Sequence, residues 1–179
     1  MWILSKLIVQ YMDRNSFFKA GMGITAGLIL QPTAAISIID DEPEPLDISV
    51  VKEFVIAGHK DLERVREMLS DYPNLIFSRY DWGNGDFEEA IEGAGHVGNK
   101  EIANYLVDQG ARINLFVLTM LGKTEIVKST LNEYPGLLNA KGAHGFTLLH
   151  HAKVGGSDSH ELFEFLTAKG LTESHVKIR

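Results

Sequence analysis

Gly142-Ala143-His144-Gly145-Phe146-Thr147-Leu148-Leu149-His150-His151-Ala152 is the stretch from which the fold is read. Two glycines mark a turn, and the turn feeds a helix start. Thr147 can cap the first helical turn through its hydroxyl, while Leu148, Leu149 and Ala152 fall three and four apart on one face. A single segment of this kind belongs to many folds, so its recurrence decides the reading.

The chain does repeat. Leu131-Asn132-Glu133-Tyr134-Pro135-Gly136-Leu137-Leu138 copies Leu69-Ser70-Asp71-Tyr72-Pro73-Asn74-Leu75-Ile76 at an offset of 62, and Glu125 and Val127 copy Glu63 and Val65. A second series interleaves with the first. Glu92, Ala94 and Gly98 match His150, Ala152 and Gly156 at an offset of 58, and Leu106, Gly110 and Ala111 match Leu166, Gly170 and Leu171 at 60. The two extra residues fall in the turn Gly155-Gly156-Ser157-Asp158-Ser159. Four units result, beginning near 49, 82, 115 and 141. Apolar periodicity predicts helices over 49–57, 60–70, 87–95, 99–108, 115–121, 123–132, 146–154 and 159–168.

The run Thr147-Leu148-Leu149-His150-His151-Ala152 resembles the Thr-Pro-Leu-His-x-Ala signature of ankyrin repeats, with Leu148 where that family has proline. Gly98-Asn99-Lys100-Glu101-Ile102 is similar to the family's entry into its outer helix. Gly110-Ala111-Arg112-Ile113-Asn114 is similar to the exit from it. The resemblance covers residues 49–171 and implies an all-α, ankyrin-like solenoid of about four helix-turn-helix repeats with hairpin loops projecting at the side. It gives Thr147, Leu149, His150 and Ala152 structural roles. His150 is then expected to be buried and bonded to neighbouring backbone, and His151 to point outward. Unit three departs, since Asn114 to Gly122 leaves too little chain for a projecting loop. Its shortened helix is expected to bury Phe116, Val117 and Met120.

Residues 1–35 differ from the rest. Arg14 and Lys19 flank Asn15-Ser16-Phe17-Phe18, the apolar run Ala20 to Leu30 follows, and Thr33-Ala34-Ala35 supplies small residues for a peptidase. Asp13 to Lys19 resembles a twin-arginine signal with Asn15 in the place of the second arginine, which leaves twin-arginine and general secretion both open. Met12 stands directly before the pattern and is the expected true start. The apolar run is shorter than the roughly 20 residues of a membrane span. An exported, periplasmic bacterial protein is expected, with attachment to the inner membrane by an uncleaved signal as the alternative. Residues 36–48 form an acidic linker and 172–179 a C-terminal tail.

Composition narrows the function. The net charge is −7. Residues 1–35 hold three of the 17 basic and one of the 24 acidic groups, so the remainder is more acidic still. That argues against nucleic acid as a partner. The absence of cysteine removes disulfides, thiolate metal sites and thiol catalysis. No nucleophile elbow, phosphate loop or His-Glu-x-x-His run occurs.

The expected activity is therefore protein–protein binding by a monomer, with no enzyme activity, cofactor or metal. Arg79, Tyr80, Trp82, Asn84, Phe87, His144 and Phe146 are the expected partner-binding residues, the first five on the loop around the hairpin turn Gly83-Asn84-Gly85. The competing reading is a metal-assisted hydrolase on a helix face carrying Glu89, Glu92 and His96, where Asp86 stands three residues before Glu89. Against it, Asp86 with Glu89 suits a capping box, and Glu92 takes the position of the motif's histidine.

Overall fold

The computed structural model describes residues 44–178, so the expected export signal and most of the acidic linker lie outside the described residues. Within them the chain is all-α apart from one two-stranded hairpin. Eight α-helices follow one another: α1 (Ile48–Lys60), α2 (Leu62–Asp71), α3 (Ala90–Val97), α4 (Lys100–Asp108), α5 (Leu115–Met120), α6 (Thr124–Glu133), α7 (Leu148–Val154) and α8 (His160–Ala168). They pack as successive pairs, and α1, α3, α5 and α7, the first helix of each pair, pack against one another in series. No described helix is long and apolar enough to cross a membrane.

Short polar residues start these helices. Asp47, Asp61, Asn99 and Asn114 each accept a bond from a backbone N–H of the first turn of α1, α2, α4 and α5. Asp47, expected in the linker, thus belongs to the folded unit. The sequence offsets recur as structure. α2 and the 3-10 turn Pro73–Phe77 reappear 62 residues later as α6 and Pro135–Asn139. After α4 the chain enters α5 with no hairpin between.

The core forms two clusters. Phe54, Leu75, Ile91, Ile102, Leu106 and Met120 anchor the first, and Leu148, Leu162 and Leu166 with Val127 the second. Close approach of α1 to α3 depends on Gly58, where a Cβ would lie 2.4 Å from the Ala90 carbonyl oxygen. In α5, Val117 and Met120 are fully buried as expected, whereas Phe116 is only half-buried.

One expectation is reversed at α7. His151 is buried, with 2% of its surface exposed, and His150 is the half-buried member of the pair. The helical period explains it, because His151 falls three residues after Leu148 and beside Ala152 on the packed face. Its ring fits against Phe116, 5.2 Å between centroids, and against α3 where Gly95 has no side chain. Its Nδ1 donates to the Thr147 carbonyl at 2.8 Å.

The C-terminal residues fold back onto the body. Thr147 N–H donates to the Ser174 carbonyl, Val176 N–H to the Gly145 carbonyl, and Thr147 Oγ1 to the Glu173 carbonyl. The expected tail is therefore a strap across the loop that carries His144.

Candidate functional site

The hairpin pairs β1 (Tyr80–Asp81) with β2 (Phe87–Glu88). Gly83, Asn84 and Gly85 all take positive φ in its tip, which two glycines and an asparagine permit at little cost. This geometry turns Glu88 inward at the end of β2, where it is fully buried.

A buried carboxylate needs partners, and Glu88 has four. His96, from α3, reaches Glu88 Oε1 with Nε2 at 2.8 Å. His59, from the last turn of α1, places Nε2 3.3 Å from the same oxygen. Trp82 Nε1 donates to Oε2 at 2.7 Å, and His144 Nε2 lies 3.3 Å from Oε2. The Nε2 atoms of His59 and His96 are 3.1 Å apart. The three imidazole nitrogens and the carboxylate lie within 4.8 Å of one another. Gly93 makes room for this, since a Cβ there would meet His59 Nδ1 at 2.7 Å.

The outer atoms of the rings are also held. His59 Nδ1 donates to the Val55 carbonyl at 2.9 Å. Asp86 grips His144 twice, accepting from its backbone N–H at 2.8 Å and from Nδ1 at 2.7 Å. His144 is one of two described non-glycine residues with positive φ, 59°, a conformation that the Asp86 clamp and the C-terminal strap hold in place.

The charges follow from this packing. Burial alone would raise the Glu88 carboxyl, but its contacts with the His59 and His96 imidazoles outweigh it and hold the group down at about 2. Burial alone would lower His59, yet Glu88 and the backbone carbonyls outweigh it, so its imidazole sits above the ordinary value.

Beside the cluster opens a hollow of about 320 Å³ lined by Ile56, His59, Lys60, Trp82 and His144. Ile56 and Trp82 are exposed at 43% and 36%.

The expected partner-binding residues divide around this site. Asn84 and Phe87 are exposed, Phe87 at 47%. Trp82 and His144 turn toward Glu88. Phe146 is half-buried and stacked between His96 and His150, at centroid distances of 5.0 and 4.1 Å. Tyr80 packs edge-on against Trp82, and Lys52 lies over both rings. Arg79 approaches Glu89 at 3.4 Å and Glu92 at 3.5 Å. Thr147 caps α7, and His150 Nε2 donates to the His96 carbonyl at 2.7 Å, joining α7 to α3.

The acidic helix face reads differently in three dimensions. Glu89 and Glu92 form the capping box of α3, with Glu92 accepting from Glu89 N–H at 2.8 Å and from Asn114 Nδ2 at 2.7 Å. Asp86 serves His144 and is no partner in that box. Of the three residues on the expected hydrolase face, His96 enters the cluster. His59 and Glu88 carry no sequence signal as a pair, for they stand 29 residues apart and share no motif. The short spacing of Asp86, Glu88 and His96 around a hairpin turn is the one available signal. No protein-family model, curated protein or solved structure matches the chain.

Proposed function

We propose that this protein is an exported, ankyrin-like helical-repeat stack that binds another protein through its loops and first helices. The repeat reading is supported by four successive helix pairs and by the 62-residue recurrence of a helix with its 3-10 turn. The observation that carries the binding reading is the hollow beside Trp82. It lies where α1 meets the hairpin and the His144 loop, and it leaves Ile56 and Trp82 with substantial apolar surface in water. An indole and an aliphatic side chain rimmed by Lys60 make an anchor site of the kind that dominates protein interfaces. Export is supported by the order of charge, apolar run and small residues in 14–35.

A photo-crosslinking residue placed at Ile56 or Lys60 in the native cell tests the binding face, with Ile126 on α6 as the control. The expected result is one protein adduct common to Ile56 and Lys60 and missing at Ile126. Equal adducts at all three positions, or none at the first two, would overturn the binding face. N-terminal sequencing of the cellular protein tests export, where a mature cytoplasmic chain that keeps residues 1–35 counts against it.

A further inference from the structure

We infer that His59, Glu88, His96 and His144 form a binding site for one zinc-class divalent cation, held by three imidazole Nε2 atoms and the Glu88 carboxylate. The outer partners decide which ring nitrogens carry protons. A carbonyl or carboxylate oxygen only accepts, so His59 Nδ1 facing Val55 and His144 Nδ1 facing Asp86 must both be N–H donors. In each neutral ring Nε2 is then a bare lone pair. Both lone pairs point at oxygens of the Glu88 carboxylate, at 3.3 Å. A lone pair facing an anionic oxygen is repulsive unless something positive stands between them. Two added protons would satisfy the two contacts separately. One cation among the four groups satisfies both and takes the His96 nitrogen as well.

The spacing fits. Four groups bonded tetrahedrally to zinc at about 2.0–2.1 Å stand roughly 3.3 Å apart. The separations here are 2.8 Å from His96 and 3.3 Å from His59 to Glu88 Oε1, 3.1 Å between the His59 and His96 nitrogens, and 3.3 Å from His144 to the other oxygen, Oε2, while one ligand atom from each of the four groups lies within 4.8 Å of the rest. Surface acidic clusters do not have this form. Here the single carboxylate is fully buried and each of its oxygens has a separate duty. Oε1 faces His59 and His96, while Oε2 faces His144 and accepts the Trp82 indole N–H. Imidazole and carboxylate donors without a thiolate suit zinc and its first-row neighbours rather than calcium or magnesium.

Outer partners of the expected kind surround the ligands. A ligating histidine generally donates its other nitrogen to a carbonyl or carboxylate, and a ligating carboxylate is itself hydrogen-bonded. Val55, Asp86 and Trp82 do these three things for His59, His144 and Glu88. The ligands come from α1, β2, α3 and the loop before α7. A cation there would tie the first two helix pairs to the loop before the fourth, and fix the wall of the hollow formed by His59, Trp82 and His144. The site stands whether or not a protein docks beside it.

The test uses the full chain, stripped with a chelator and then titrated with Zn²⁺ against a chromogenic competitor, and separately with Co²⁺. The expected result is one ion per chain, cobalt absorption of tetrahedral intensity without a thiolate band, and a raised Tm. The double variant His59→Gln/His144→Gln should lose at least about 100-fold in zinc affinity. Both rings are partly exposed, so the variant should still fold, which circular dichroism checks. Asp86→Asn and Trp82→Phe touch only outer partners and should weaken binding about 10–100-fold. His160→Gln, on the exposed surface, should change nothing. Less than a tenth of an ion per folded chain would overturn the site. So would undiminished affinity in the folded double variant, and the cluster would then be a hydrogen-bonded network that holds only protons.

Discussion

His59 and His151 are the same residue type placed in two unlike parts of one helical fold. Around His59 the chain gathers a buried carboxylate, two more imidazoles and an indole N–H. Around His151 it gathers the Phe116 and His150 rings and the helix at Gly95, with one carbonyl as partner. The first environment stabilises positive charge, and His59 titrates above its ordinary value. In the second, burial drives the imidazole down to about 4, outweighing the bond to Thr147. A histidine's chemistry is thus set by whether a carboxylate comes inside with it. Among the described residues the hairpin brings one, Glu88, to His59.

The hardest test of that contrast removes the carboxylate. Glu88→Ala leaves three imidazoles and an indole N–H facing a cavity, and breaking a buried, fully paired charge costs about 3–5 kcal/mol. Urea unfolding measures it. A loss under about 1 kcal/mol would show that the cluster does not depend on Glu88 and would erase the difference between the two regions.

Acid should separate them next. His151 is neutral in the folded state down to about pH 4, whereas the unfolded chain takes up its proton near 6.5. Stability tied to this residue is therefore complete above about pH 6.5 and is lost as pH falls from there to about 4. Each tenfold difference in proton affinity between the folded and unfolded chain is worth about 1.4 kcal/mol, so the loss is on the order of 3 kcal/mol. His150, also lowered by burial, acts in the same direction. Glu88 runs the other way. With its carboxyl held at about 2, its contribution persists until the pH drops below its ordinary 4.5. Between pH 6.5 and 4.5 the weakening should come from the histidines of α7, and His151→Gln should remove most of it. An unchanged acid profile in that variant would place the sensitive group elsewhere.

These regions also differ in what the sequence discloses. Helix positions are largely legible, because apolar residues at helical spacing fix a packed face. The helix expected over 87–95, however, starts only at Ala90, since Phe87 and Glu88 pair in the hairpin, and the one expected from 60 starts at Leu62, after the cap Asp61. Gly83-Asn84-Gly85 announces the hairpin. Its consequence, Glu88 turned inward to meet His59, is not legible. That contact joins residues 29 apart through a loop whose path depends on three successive positive φ values. At α7 the sequence holds the right answer and the motif masks it. Leu148, His151 and Ala152 share a helical face by spacing alone, but the ankyrin resemblance assigns burial to His150.

A smaller perturbation sharpens the cluster side. Trp82→Phe keeps the aromatic wall of the hollow while removing the N–H that Glu88 Oε2 accepts. A hydrogen bond to a charged group is worth about 1.5–3 kcal/mol, and Trp82 is partly exposed, so a loss near 2 kcal/mol is expected. A change within about 0.5 kcal/mol would mean that water replaces the indole and that the carboxylate is less enclosed than its neighbours imply.

The smallest expected effect belongs to His150, which stands between the two regions. Its Nε2 donates to the carbonyl of His96, a member of the cluster, and its ring stacks on Phe146 at 4.1 Å. The ring is only half-buried, so part of its surface already meets water. His150→Ala should therefore cost about 1 kcal/mol, at the lower end for a severed bond. His151→Ala should cost more, about 2–3 kcal/mol, since it opens a cavity beside Phe116 as well as losing the Thr147 contact. The order of the two losses is the informative quantity, read from the urea midpoints of both variants at pH 7.5, where neither ring carries a proton. A larger loss at His150 would mean that the bond to His96 holds α7 against α3 more firmly than core packing does. The divide between a polar cluster and an apolar core would then lie one residue further along the chain.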